Sequence, residues 1–278
     1  MMLSGLLGRS ILASRSPWLH EQEARAQGIE LRYELFDFTA RGLDDGAIGP
    51  LLDDLRARGF AGVNVTFPFK QAVIPLLDEL ADSAATVGAV NTIAMRDGRL
   101  VGHNTDMSGF RDSVREGLPG VALNHVLQFG AGGAGAAVAS GLLSIDVGLL
   151  EIYDVDGSRA GGLADRLCAR FGAGRAKARS ADDWRTTGID GVVNTTPMGM
   201  ASAPGSPIEP DRLRSSMWVA DIVYFPLETE LLRTARSIGC RTLDGSGMVV
   251  RQAAAAFEII TGHVGNKQRM LESFAAVS

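Results

Sequence analysis

The sequence predicts an α/β fold in two domains, and three observations carry that expectation. Short apolar runs alternate with amphipathic helical stretches from end to end, the pattern of strands crossing over to helices. A length of 278 residues is long for one core and comfortable for two. After about Thr105 the stretch "NTDMSGFRDSVREGLPG" reads as a capped helix ending in a Gly/Pro linker, and "HVLQFGAGGAGAAVASGLL" then begins a fresh strand, glycine turn and helix.

Taken in order, the first third predicts strands at 3–8, 32–38 and 61–66, with helices near 17–27, 47–58 and 71–77. The segment "AVNTIAMRDGRLVGHN" reads as a hairpin with Asp97-Gly98 at its turn. Beyond the linker, strands near 149–153, 190–194 and 218–223, with helices between them, predict a second, parallel sheet. A short strand at 242–243 precedes the last long helix, "GMVVRQAAAAFEIITG".

Composition narrows the functional classes. Hydrophobic residues make up 46% of the chain and charged residues 21%, values of a soluble globular protein. A net charge of −5 and the lack of any Lys/Arg run argue against a nucleic-acid partner. Cys168 and Cys240 stand far apart, without metal spacing, so neither a disulfide framework nor a zinc site is expected. The opening "MMLSGLLGRSILASR" has no basic n-region and is broken by Gly8 and Arg9, unlike a signal peptide. No segment is long and apolar enough to span a bilayer. The expectation is a cytoplasmic, metal-free chain acting on a small molecule, as a monomer or homodimer.

Several stretches carry chemistry. Gly130-Ala131-Gly132-Gly133-Ala134-Gly135 fits G-x-G-x-x-G between an apolar run and a small-residue helix, where backbone can approach a pyrophosphate at a helix N-terminus. The alternative is a merely tight βα turn. Asp154 closes "GLLEIYD" about 20 residues on, where an acid can hold the ribose hydroxyls of an adenosine and repel a 2′-phosphate; a helix cap is the competing reading. In "ASRSPWLH", Ser14 and Ser16 offer two hydroxyls beside a helix start, either a carboxylate seat or, for Ser16, an ordinary N-cap. "GAVNTI" and "GHNTD" bracket the hairpin and bring Asn91 and Asp106 towards one rim, although Asp106 could also simply cap the helix it precedes. In "GVNVTFPFKQ" a buried strand runs into a rigid Phe-Pro-Phe corner and delivers Lys70 on its far side.

These segments, with Ala89-Val90-Asn91-Thr92, Asn104-Thr105-Asp106, Asn194-Thr195-Thr196-Pro197-Met198-Gly199-Met200, Asp244-Gly245-Ser246-Gly247-Met248 and Gln252, resemble the shikimate/quinate dehydrogenases over nearly the whole chain. The resemblance implies a substrate-binding domain at 1–106, completed by 245–278, a Rossmann-type NAD-binding domain at 107–244, and a cleft between them. It implies Lys70 and Asp106 as the catalytic pair, and Ser14 and Ser16 as ligands of the substrate carboxylate. Thr66, Asn91 and Gln252 match residues that hold ring hydroxyls, and Tyr224 a tyrosine near substrate and nicotinamide. NAD is then expected on the loop Gly130, Ala131, Gly132, Gly133, Ala134 and Gly135, on Asp154, Thr195, Thr196, Pro197, Met198 and Val223, and at the Gly247 backbone.

The chemistry accounts for the Phe-Pro-Phe corner. Hydride transfer oxidises a secondary alcohol only as its O–H proton leaves, and a rigidly delivered Lys70 can take that proton. Whether Asp106 accepts it or orients Lys70 stays open. His103, Met107 and Ser246 depart from the commoner shikimate pattern and resemble the NAD-using, quinate-capable branch. The expected substrate is shikimate, quinate or a relative. Alternatives are a sibling dehydrogenase of another cyclohexane acid, such as an amino-substituted quinate, and a non-catalytic NAD-binding protein.

Overall fold

Apolar residues on both faces of the short strands lead to two sheets, each buried against helices. The computed structural model describes residues 1–180 and 186–276. The chain divides into two units, Met1–Thr105 together with the stretch from Val250 onwards, and Asp106–Val249.

The first unit runs β1 (Met2–Gly8), α1 (Ser16–Ala26), β2 (Leu31–Asp37), α2 (Ile48–Ala57), β3 (Gly62–Val65), β4 (Glu79–Leu80), α3 (Asp82–Val87), β5 (Thr92–Arg96) and β6 (Arg99–His103). The strands form one sheet in the order β2-β1-β3-β5-β6-β4. β1 lies parallel to both β2 and β3, while β5 runs antiparallel to β3 and β6. Asp97 and Gly98 both take positive φ at the β5–β6 turn, as a two-residue hairpin demands. The core gathers Leu7, Phe36, Phe38, Leu52, Leu55, Val63, Val65, Phe69, Val90 and Ile93.

One expected helix is absent. Residues 71–77 hold only a 3-10 turn at Ile74–Leu76, because Pro75 lacks an N–H and disfavours α geometry in the residue before it. The two-residue β4 and the six-residue α3 were not anticipated, being too short to show a period.

The second unit runs α4 (Asp106–Gly117), β7 (His125–Phe129), α5 (Gly133–Leu143), β8 (Leu149–Tyr153), α6 (Gly157–Phe171), β9 (Ala176–Ala178), β10 (Gly191–Asn194), β11 (Trp218–Asp221), α7 (Glu230–Ile238) and β12 (Arg241–Leu243). Its six strands are all parallel, in the order β12-β11-β10-β7-β8-β9. This is the doubly wound order, in which the chain reverses direction across the sheet between β7 and β10. α8 (Ser246–Thr261) and α9 (Lys267–Ala275) close the chain.

Candidate active site

In the first unit, the predicted residues sit on segments that backbone bonds hold in place. Thr66 N–H donates to the Leu7 carbonyl, Phe69 N–H to Thr66 and Arg9 N–H to Phe67, each at 2.9–3.1 Å. The Phe67–Pro68 peptide is cis. Phe69 is buried against Phe38, with ring centroids 4.5 Å apart. The Lys70 carbonyl accepts from Val90 N–H at 2.7 Å. Lys70 thus leaves a stapled corner, four residues after half-buried Thr66.

Ser14 and Ser16 lie at the start of α1, half-buried. The helix begins at Ser16 itself and has no side-chain cap. Ser14 instead accepts the Ser16 N–H at 3.2 Å, so the N-cap reading of Ser16 does not describe this helix. The loop before them hangs on Asp37, whose carboxylate accepts backbone N–H groups of Ser10, Ile11, Thr39 and Ala40. Burial pushes the Asp37 carboxyl up, and those four bonds outweigh it and hold it below its ordinary value. Burial pushes the Tyr33 phenol up, opposed only in part by a hydrogen bond with Ser16.

Asn91 is buried at the foot of β5. Its Oδ1 accepts the Thr105 N–H and its Nδ2 donates to Thr105 Oγ1, both at 2.9 Å. Thr105 Oγ1 is also 3.5 Å from Gln252 Oε1 on α8. Tyr33, Asn64 and Thr105 escaped the sequence reading as site-shaping residues. Only the parallel register that sets Ser4 beside both Tyr33 and Gly62, two residues before Asn64, brings the first two near one another.

In the second unit, Asp106 opens α4 and is buried. It faces Tyr224: burial first, and the Asp106 charge second, push the Tyr224 phenol above its ordinary value, although the residue as a whole is 42% exposed.

The glycine loop lies at the sheet's switch point. Gly130 has φ +99°, and a Cβ there would fall 2.6 Å from Thr195 Oγ1. A Cβ on Gly135 would meet the Gly130 carbonyl at 2.5 Å. Only glycine permits this packing. The Thr195 hydroxyl donates to the Phe129 carbonyl at 2.7 Å. Gly132, by contrast, faces open space, and Gly133 and Ala134 start α5, leaving first-turn N–H groups where an anion can dock. Asp154 accepts Ala131 N–H at 2.7 Å and Asp156 N–H at 2.9 Å. The cap of α6 is Asp156, which accepts Ser158 N–H, so Asp154 is not that helix's cap.

Two further loops are tied by one buried pair. Asn194 Nδ2 donates to Asp221 Oδ1 and to the Met198 carbonyl, each at 2.9 Å, and its Oδ1 accepts from Thr196 N–H and Oγ1. Asp221 also accepts Val223 N–H at 3.0 Å and the Thr229 hydroxyl at 2.7 Å. Thr196, Pro197 and Met198 thereby share an anchor with Val223 and Tyr224. Burial pushes the Asp221 carboxyl up to about 6. Gly245 brings the start of α8, which bears Gly247, against this segment, since a Cβ would lie 2.6 Å from the Ile222 carbonyl and 2.7 Å from that of Val223. Among the described residues no group of three His, Cys, Asp or Glu could hold a metal ion, and no helix is long and apolar enough to cross a membrane.

The family model described as shikimate dehydrogenase substrate binding domain matches residues 6–93. A protein of Streptomyces avermitilis named shikimate dehydrogenase (NADP(+)) is 49% identical over 99% of this chain and 96% of its own. The chain belongs to the shikimate/quinate dehydrogenase family. Another family member, quinate/shikimate dehydrogenase (NAD(+)) of Corynebacterium efficiens, is 43% identical over 99% of this chain and 98% of its own. The solved quinate dehydrogenase of Corynebacterium glutamicum in complex with NAD superposes with a TM-score of 0.93 at 43% identity, over 99% of both chains. The α/β fold with its Rossmann-type sheet is therefore the family's, and these relatives differ among themselves in the dinucleotide they are named for.

Proposed function

We propose that the chain is an NAD-dependent dehydrogenase that interconverts shikimate with 3-dehydroshikimate and quinate with 3-dehydroquinate. Membership in the family supports the oxidoreductase class, and one observation carries the choice of NAD: the Asp154 carboxylate fixed beside Ala131 in the glycine loop. An acid there accepts from both ribose hydroxyls and repels a 2′-phosphate. The open face at Gly132 and the bare start of α5 fit a pyrophosphate. Thr195, Thr196, Pro197, Met198, Val223 and Gly247 would line the nicotinamide half. Residues 107–244 serve as the dinucleotide domain, and 1–106 with 245–278 as the substrate domain.

NAD, when bound, supplies the hydride acceptor. Lys70 takes the proton from the alcohol oxygen in oxidation and returns it in reduction, with Asp106 as its partner. Ser14 and Ser16 hold the carboxylate, and Thr66, Asn91, Tyr224 and Gln252 the ring. Ser16 goes with shikimate use in this family, whereas His103 and Asp154 point to the quinate-capable branch. Both acids are turned over, shikimate with the higher kcat/KM. Ser16→Thr shifts the ratio towards quinate by roughly 1–3 kcal/mol, the scale of one methyl group in a pocket.

Steady-state assays at saturating NAD with shikimate, quinate and an amino-substituted quinate test the reading. Turnover of quinate but poor use of shikimate would refute the preference. Inactivity on both would overturn the reading in favour of the amino-substituted sibling.

A further inference from the structure

We propose that Thr105 is a positioning residue whose hydroxyl, at the end of a one-way hydrogen-bond chain running from Tyr33 through Asn64, Thr92 and Asn91, turns Asn91 and Gln252 so that both offer N–H donors to the ligand. This rests on the assignment of Asn91 and Gln252 to the ring-binding site above. Backbone atoms at two points fix the direction of the chain as far as Thr105, and the 15N amide signals below test its last link to Gln252.

The first point is Asn64. Its Nδ2 lies 3.3 Å from the Asn91 carbonyl, which can only accept. The amide oxygen must then face Tyr33, whose hydroxyl donates to it at 2.8 Å. The same Nδ2 donates to Thr92 Oγ1 at 3.0 Å, and the Thr92 hydrogen passes to Asn91 Oδ1 at 3.1 Å.

The second point is the Thr105 N–H, a group that can only donate, 2.9 Å from that same Asn91 Oδ1. Asn91 is thereby locked with its nitrogen towards Thr105 Oγ1, at 2.9 Å. Having accepted there, the Thr105 hydroxyl has one hydrogen left, shared between Asn91 Oδ1 at 3.2 Å and Gln252 Oε1 at 3.5 Å. On the proposal the hydroxyl gives that hydrogen to Gln252, which then turns its oxygen to Thr105 and its NH2 away. Tyr33, Asn64, Asn91, Thr92 and Thr105 are all buried, where reversing one member would leave a polar atom unpaired.

The consequence is a rule about substrate chemistry. N–H donors suit an alcohol oxygen and a ketone oxygen alike, so both members of a redox pair meet the same contacts. An ammonium substituent, which only donates, is refused at the ring positions facing Asn91 and Gln252.

The test compares Thr105→Val, which keeps the shape and removes the hydroxyl, with Thr105→Ser, which restores it. In full-length protein labelled with 15N-glutamine and 15N-asparagine and free of any acid, the side-chain NH2 signals of Gln252 and Asn91 should move in Thr105→Val and return in Thr105→Ser. With shikimate as substrate, KM should rise roughly tenfold in Thr105→Val, while KM for NAD stays within about twofold of the parent. Unmoved amide signals in Thr105→Val, or identical behaviour of the valine and serine variants, would overturn the proposal. Should the parent turn over neither shikimate nor quinate, the proposed function fails, and the amide signals still decide the role of Thr105.

Discussion

Lys70 owes its placement to a corner whose backbone is bonded on both sides, to Leu7 and Arg9 before it and to Val90 at its own carbonyl. That fixation limits the entropy lost on alignment. Lys70→Ala should lower kcat by about 10²–10⁴-fold, the usual worth of a positioned acid/base, with a smaller effect on NAD binding. Asp106→Asn should also cripple turnover, and on the proposed mechanism, in which the two act as a unit, the double variant should lose less than the product of the two. Steady-state kinetics on the four proteins would expose independent, multiplying effects. Asp221 shows the opposite balance. Its carboxyl titrates at about 6 in the fold instead of 3.8, so the folded state holds its proton more tightly than the unfolded chain. Stability from this group is fully present below 3.8 and is lost as pH rises through about 6, by about 3 kcal/mol at most. Asp221→Asn, with the Thr229 hydroxyl turned round to accept, should therefore melt higher than the parent at pH 7, the gap closing towards pH 4. Thermal melts across that range check it, and a variant less stable at pH 7 contradicts it.

The elements differ in how they announce themselves. The β5–β6 hairpin and the glycine turn were legible because Asp97-Gly98 and Gly130 stand where backbone takes positive φ. The stretch at 71–77 misled because its apolar spacing imitates a helix while Pro75 forbids one. The docking of α9 on α1 could not be read at all, since its chief contact joins residues 246 apart. There the Glu23 side chain, fully buried, receives Arg269 Nε at 2.7 Å and NH2 at 2.8 Å, with Asn266 N–H and Gln27 beside them. Burial pushes the Glu23 carboxyl up, and the bonds from Arg269, Asn266 and Gln27 outweigh it and hold it below its ordinary value. Stability from this pair is present above the ordinary carboxylate range and is lost as pH falls through the depressed value. Arg269→Ala should destabilise the fold at neutral pH by leaving the buried Glu23 carboxylate short of its partner, and the difference from the parent should shrink in acid. Denaturant melts at neutral and acid pH measure this, and a pH-independent loss would assign Arg269 a packing role only.

At the scale of the molecule, the α/β alternation gave the fold class, but strand order was not in the local pattern. The order β12-β11-β10-β7-β8-β9 places the ends of β7 and β10 side by side, which is why the glycine loop packs on Thr195 more than sixty residues away. The motifs spaced along the chain were legible; the tie of Asn194 to Asp221 and the chain from Tyr33 to Gln252 were not, because both depend on neighbours that only folding supplies. The relatives named for NADP and for NAD share this architecture, so the dinucleotide is decided by a few side chains, and on the proposed reading here by Asp154. Asp154→Ser should weaken NAD through lost ribose contacts and relieve the exclusion of NADP. The most direct measurement of the whole account is kcat/KM of the unmutated enzyme for NAD and for NADP at saturating shikimate: a strong preference for NAD is the predicted result, and equal or better use of NADP would contradict it.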